Sequence, residues 1–156
     1  MYNAGVLLYS IRNGDVVFLL GKDAKWRQWS DFGGKNDIND KNKEDTAVRE
    51  FYEESVGTIF DMIQIKDRIK CCQCIKTLSY KKHDYYMYLM KIDYSEKYID
   101  LFQSMVYFNL NIPKKFQEKT EIKWFTLQHI IDNYYEMRSV FYKTIIKDHT
   151  VFINLK

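Results

Sequence analysis

The stretch from Gly33 to Gly57, GGKNDINDKNKEDTAVREFYEESVG, limits what this chain can fold into more than any other. It joins a Gly-Gly-Lys turn to a polar loop without Gly or Pro, and then to a helix-patterned segment ending in a knot of glutamates. At about 100° per residue, Glu50, Glu53 and Glu54 project into one sector of such a helix. Ala47, Val48, Phe51 and Ser55 form the adjoining apolar or small sector, which can seat the helix on a core. Arg49 stands four residues before Glu53, where the two side chains meet and the cation orients the carboxylate.

Three carboxylates this close repel one another, by a few tenths of a kcal/mol per pair on an isolated helix. A bound cation relieves that repulsion. Mg²⁺ suits the set, being a hard ion that takes oxygen ligands and sits between carboxylates and substrate phosphates. An acidic solvated face is the ordinary alternative. The Gly33-Gly34 turn favours the cation, because glycine lets a backbone carbonyl approach the same ion.

GGK followed by REFYEE resembles the Nudix box, in which a glycine turn precedes a helix carrying Arg-Glu, two further positions, and Glu-Glu. Two departures accompany the resemblance. Counting forward from Gly34, the first box glutamate falls on Asp40; counting back from Arg49, it falls on Lys41. The loop is thus one residue longer than the pattern, and either Asp40 or Glu44 covers the role. After Glu54 the pattern expects one residue and then Gly, whereas this chain has Ser55-Val56-Gly57.

The resemblance implies an α/β/α sandwich with a mixed central sheet, and Mg²⁺-dependent hydrolysis of a nucleoside diphosphate linked to another group, with Mn²⁺ as the alternative ion. It implies that Gly34 offers a main-chain carbonyl to the metal and that Glu50, Glu53 and Glu54 hold it. Arg49 and these glutamates would be the catalytic set, and Lys35 could touch a phosphate. Such enzymes often take another acid from outside the box. Glu118 and Glu121 are the candidates, although Glu118 lies in a polar run, KKFQEKTE, that reads first as solvated surface.

The 156 residues fit one domain, residues 1–156, large enough for a core. Hydrophobic residues make up 46% and charged ones 29%, which excludes wholesale disorder. A net charge of +3 is not the footprint of a dedicated nucleic-acid binder, though it would help attract a polyphosphate. With no signal-peptide pattern and no apolar run of membrane-spanning length, the chain reads as soluble and cytoplasmic, without a membrane partner. Its excess of Lys, Asn, Ile and Tyr is that of AT-rich coding sequence, as in many parasites and large DNA viruses. Oligomeric state is not legible.

In chain order, Ala4–Ile11 and Val16–Leu20 read as a hairpin turning at Asn13-Gly14-Asp15. A polar loop over 21–32 follows and holds Trp26, Trp29 and Phe32. Trp29 or Phe32 could pin the loop, or one of the three rings could stack on a substrate base. After the box at 33–57, Asp67–Leu78 and Tyr85–Ile92 read as strands. Cys72 and Cys74 would face one side of the first, and buried thiols are favoured over a metal knuckle. His83, alone in the loop between them, reads as solvated. An inserted helix is predicted over 94–109, a short strand over Glu121–Thr126, and one amphipathic helix over Leu127–Asp148.

A small nucleotide-type substrate is the leading reading. Capped RNA is the second, with Lys81, Lys82, Lys114, Lys115 and Lys119 as candidate backbone contacts. A catalytically silent nucleotide sensor is the alternative from another class.

Overall fold

A computed structural model describes residues 1–79, 82–108 and 111–156. Lys81 and the predicted end of the inserted helix at Asn109 lie outside them. The core strand is β1 (Asn3–Arg12), joined to β2 (Asp15–Asp23) through Asn13 and Gly14, whose φ of 52° and 88° suit a tight hairpin turn. On one edge β1 pairs in parallel with β6 (Asp84–Lys91), which in turn pairs antiparallel with β5 (Gln73–Leu78). On its other edge β1 meets two partners. β2 pairs with residues 8–12, and β4 (Phe32–Lys35) with residues 3–6. β3 (Trp29–Ser30) and β7 (Lys119–Thr126) both pair with β2, completing a mixed seven-stranded sheet.

Alternation along these strands sends side chains to two cores, one on each face. Val6, Leu8 and Phe32 pack under α1 (Lys43–Glu54), α2 (Met62–Ile69) and α3 (Lys97–Phe108). Leu7, Phe18, Leu20 and Trp29 pack under α4 (Leu127–Asp132), α5 (Ser139–Lys147) and α6 (His149–Ile153). The result is the predicted α/β/α sandwich around a mixed sheet. No helix among the described residues is long and apolar enough to cross a membrane.

Four local readings differ from the sequence analysis. The loop over 21–32 holds the end of β2 and the short β3, and the glycine turn is itself strand β4. Glycine's low strand propensity hides it, yet glycine is what the pairing requires. Gly33 faces Gly5 across β1 and β4, and a Cβ on Gly33 would come within 2.6 Å of Gly5 Cα. Residues 67–69 are helix rather than strand. The capping box of Asp61 with Gln64 and the buried pair Ile65 and Ile69 carry α2 through them.

The predicted helix over 127–148 is split, because Met137 is drawn into extended conformation against Trp29 and the Arg138 N–H donates to the Trp29 carbonyl at 2.9 Å. The thiols are not buried as expected. Cys71 and Cys74 are exposed and Cys72, in the turn before β5, is half-buried; all three are free.

Candidate active site

α1 begins at Asn42, whose side chain accepts from the Asp45 N–H at 2.9 Å, and lays Ala47, Val48 and Phe51 on the core, with the Phe51 and Phe32 rings 5.5 Å apart. That seating turns Glu50 and Glu54, one helical turn apart, against the glycines of β4. A Cβ on Gly34 would lie 2.6 Å from Glu50 Oε2, so any other residue there would push the carboxylate from this position. The Gly33 N–H donates to Glu54 Oε2 at 2.7 Å. The helix ends at Ser55, and Val56 then takes a φ of 56° where the box pattern has glycine. A β-branched residue in that region stores strain; burial of its side chain, 8% exposed, offsets it.

Arg49 organises the acidic side. Its Nε and Nη2 donate to both oxygens of Asp40 at 3.1 and 2.9 Å, its Nη1 donates to Glu50 at 2.8 Å and Glu53 at 3.4 Å, and Nη2 also reaches the Lys35 carbonyl at 2.8 Å. Of the two acids weighed from the sequence, Asp40 is the one that meets Arg49. Glu44 instead accepts from the Tyr88 hydroxyl at 2.8 Å. Glu53 also pairs with Lys115 at 2.8 Å.

Glu54 lies beyond Arg49's partners and is met from β7. Lys119 places Nζ 3.7 Å from Glu54 Oε1 and 2.9 Å from Ser30 Oγ, with its side chain 3% exposed. Asp31, between β3 and β4, is buried beside them and accepts from the Tyr85 hydroxyl. Burial dominates the acids' proton affinities. It pushes Glu50 up to about 7, with Arg49 opposing and the charges of Glu118 and Glu53 adding. It pushes Glu54 well above the usual carboxylate range, Lys119 and the Gly33 N–H opposing and Glu50 and Asp31 adding. Asp31 rises to about 6, mainly through burial, against the Tyr85 hydrogen bond and Lys119.

Gly33, Gly34 and Lys35 also line a cavity of about 500 Å³, with Trp26, Asp31, His83, Tyr85 and Arg138 around it. The carboxylates and the cavity thus share the glycine strand. Of the three candidate rings, Trp29 and Phe32 are core residues, 6% and 0% exposed, and have no free face for a base. Trp26 is 54% exposed at the cavity, with Lys25 Nζ 4.7 Å and the Arg138 guanidinium 5.2 Å from its ring centre. Glu118 is exposed near Glu50, whereas Glu121 pairs with Lys22 at 3.3 Å.

Asp31, Tyr85, His83, Arg138 and Lys119 were not singled out for this site from the sequence. Apart from His83 and Tyr85, which adjoin at the start of β6, each lies on a separate segment, and the sheet brings them together. From the sequence, Lys119 is only a candidate RNA backbone contact, because the strand it opens reads there as beginning at Glu121.

The donor set suits a hard divalent ion: Glu50 and Glu54 stand against the glycine strand, and Glu53 lies one turn of α1 on from Glu50, beside Arg49, all offering carboxylate oxygens. Each carboxylate is engaged by a protein cation or N–H, and no cluster of three metal-binding side chains is already formed among the described residues.

No family model matches the sequence. Nor does any curated protein. Solved structures do match. A C. elegans Ap4A hydrolase, determined as a binary complex, is 16% identical over 98% of this chain and 99% of that one, with a TM-score of 0.63. The NUDIX domain of Shewanella oneidensis NrtR, complexed with ADP ribose, is 14% identical over 97% of this chain and 86% of that one, with a TM-score of 0.56. A bifunctional NMN adenylyltransferase/ADP ribose pyrophosphatase from Francisella tularensis, complexed with AMP and a Mn ion, is 16% identical over 94% and 40% of the two chains, with a TM-score of 0.53. The fold is that of the Nudix hydrolases.

Proposed function

We propose that this chain is a Mg²⁺-dependent pyrophosphohydrolase that cleaves the diphosphate of a small nucleoside diphosphate-linked substrate. One observation carries the reading: Glu50 and Glu54 are held against a glycine strand that also lines a nucleotide-sized cavity. Glu50, Glu53, Glu54 and the Gly34 carbonyl would hold Mg²⁺ or Mn²⁺. A bound ion of this kind shields phosphate charge, lowers the pKa of water and orients attack on phosphorus.

The chain's own residues do the rest. Arg49 orients Glu50 through a short charge-assisted bond and Glu53 through a longer one of 3.4 Å. One of the box glutamates would accept the proton from the attacking water. Glu118 is the further acid from outside the box. Trp26 offers a ring face to the base, and Lys35 borders the cavity where phosphates would lie. Mn²⁺ and AMP in the Francisella protein, and ADP ribose in the Shewanella domain, support this substrate class.

Capped RNA is the lesser reading. Of its candidate backbone contacts, Lys119 is buried and Lys115 is engaged on Glu53. Incubation with a panel of nucleotide diphosphate compounds, with and without chelator, tests the proposal by product chromatography. Metal-dependent turnover supports it. Metal binding without turnover of any member would leave the sensor. A salt-sensitive preference for a capped oligomer over the cap dinucleotide would make decapping the function.

A further inference from the structure

Arg49 orients two of the three box glutamates, and Glu54 is the one it does not reach. A carboxylate anchored only by the Gly33 N–H would keep the freedom to swing about that contact. The buried ammonium of Lys119 removes it. The side chain runs from β7 past Gly21, donates to Ser30 Oγ at 2.9 Å and stands 3.7 Å from Glu54 Oε1. At that separation the contact with Glu54 is electrostatic rather than a hydrogen bond.

The fold makes room for the stem at a cost. Gly21 of β2 lies against it, and a Cβ there would come within 2.9 Å of Lys119 Cδ and 3.0 Å of Cγ. Lysine is among the residues least often fully buried unless paired. A buried lysine whose path is cleared by a glycine, and whose head meets a box glutamate, is poorly explained as a surface charge folded inward.

We infer that Lys119 is a positioning residue for Glu54, doing from β7 what Arg49 does for Glu50 and Glu53, and that Gly21 is its cradle. The inference rests on the proposed catalytic role of Glu54. Lys119→Met keeps the length and apolar bulk of the stem and removes the charge. It should lower kcat at least tenfold while KM for the nucleotide stays within about twofold, since Lys119 is not among the residues that line the cavity.

Gly21→Ala should lower kcat in the same sense by displacing the stem, although its methyl also comes within 3.1 Å of the Phe32 ring. The cycle isolates the part that runs through Lys119: adding Gly21→Ala to Lys119→Ala should cost much less than adding it to the wild type. The Gly33 amide gives a readout independent of turnover. In ¹H–¹⁵N spectra its proton should lie downfield, bonded to Glu54, and move upfield in Lys119→Met as it does in Glu54→Gln.

A folded Lys119→Met protein with wild-type kcat and an unmoved Gly33 amide would overturn the inference. Additive effects of Gly21→Ala and Lys119→Ala would overturn it too. If the wild-type protein has no turnover, the functional reading fails by itself, and the Gly33 amide still decides whether Lys119 positions Glu54.

Discussion

Arg49 grips Asp40 at two points, Nε to Oδ1 at 3.1 Å and Nη2 to Oδ2 at 2.9 Å, across nine residues of sequence. The same carboxylate accepts from the Thr46 hydroxyl at 2.9 Å and the Asp37 N–H at 2.8 Å, so the long loop before α1 is folded around it. Burial works against its charge. The bonds from Arg49, Asp37 and Thr46 outweigh burial and hold the carboxyl below the usual range. A loop one residue longer than the box pattern thereby returns an acid to the guanidinium that orients Glu50 and Glu53.

Asp40→Asn should accordingly lower kcat/KM at least tenfold, about 1.4 kcal/mol of transition-state stabilisation. It should also lower stability by roughly 1.5–3 kcal/mol, the range for hydrogen bonds to a charged group. Glu44→Gln, whose partner is Tyr88, should change kcat/KM less than threefold. Steady-state kinetics and denaturant melts of the two variants make the comparison; equal losses would place Glu44 in the role given to Asp40.

The pH dependence of the chelated protein follows from the buried acids. Glu50 is raised from an ordinary value of 4.5 to about 7, and Glu54 is raised well above the usual carboxylate range. The folded protein then holds protons that the unfolded chain has released, so this contribution is complete below about pH 4.5. It is lost as pH rises through about 7 and beyond. Thermal melts without metal should therefore show Tm falling across that window. Glu54→Gln should flatten the slope, and Mg²⁺ or Mn²⁺ should raise Tm more at pH 8 than at pH 6, because binding requires deprotonated ligands. A Tm that rises with pH over this range in the chelated protein would contradict the burial argument.

The two tryptophans of the loop should separate cleanly. Trp26→Ala removes an exposed ring beside the cavity and should raise KM for a nucleotide substrate about fivefold or more, with Tm unchanged; base stacking is worth roughly 1–3 kcal/mol. Trp29→Ala empties a core position packed 4.9 Å from the Phe125 ring and should cost on the order of 3–5 kcal/mol of stability. Kinetics and urea melts of both variants decide it. A Trp26 variant with unchanged KM would remove that ring from the substrate site.

Local patterns exposed much of this architecture and little of its wiring. The hairpin at Asn13-Gly14 and the glutamate sector of α1 are short-range signals, and both stand in the structure. The glycine strand was concealed because Gly33 and Gly34 are chosen for close approach to Gly5 and Glu50 rather than for strand propensity. Met137 was read as helical because its extended conformation is imposed by Trp29, far away in sequence. The approach of Asp31 and Lys119 to Glu54 was hidden for the same reason. Each meets Glu54 only because β3, β4 and β7 converge on β2 and β1, a relation that no window of neighbouring residues contains.

The central claim is that the glutamates of α1 perform the hydrolysis. The most direct measurement is kcat for Glu53→Gln and Glu54→Gln on the best substrate of the panel at saturating Mg²⁺, with thermal melts confirming that each variant is folded. The account predicts a loss of at least about a hundredfold for each, as expected when a metal ligand or proton acceptor is removed. Turnover within a few-fold of wild type in both folded variants would contradict it.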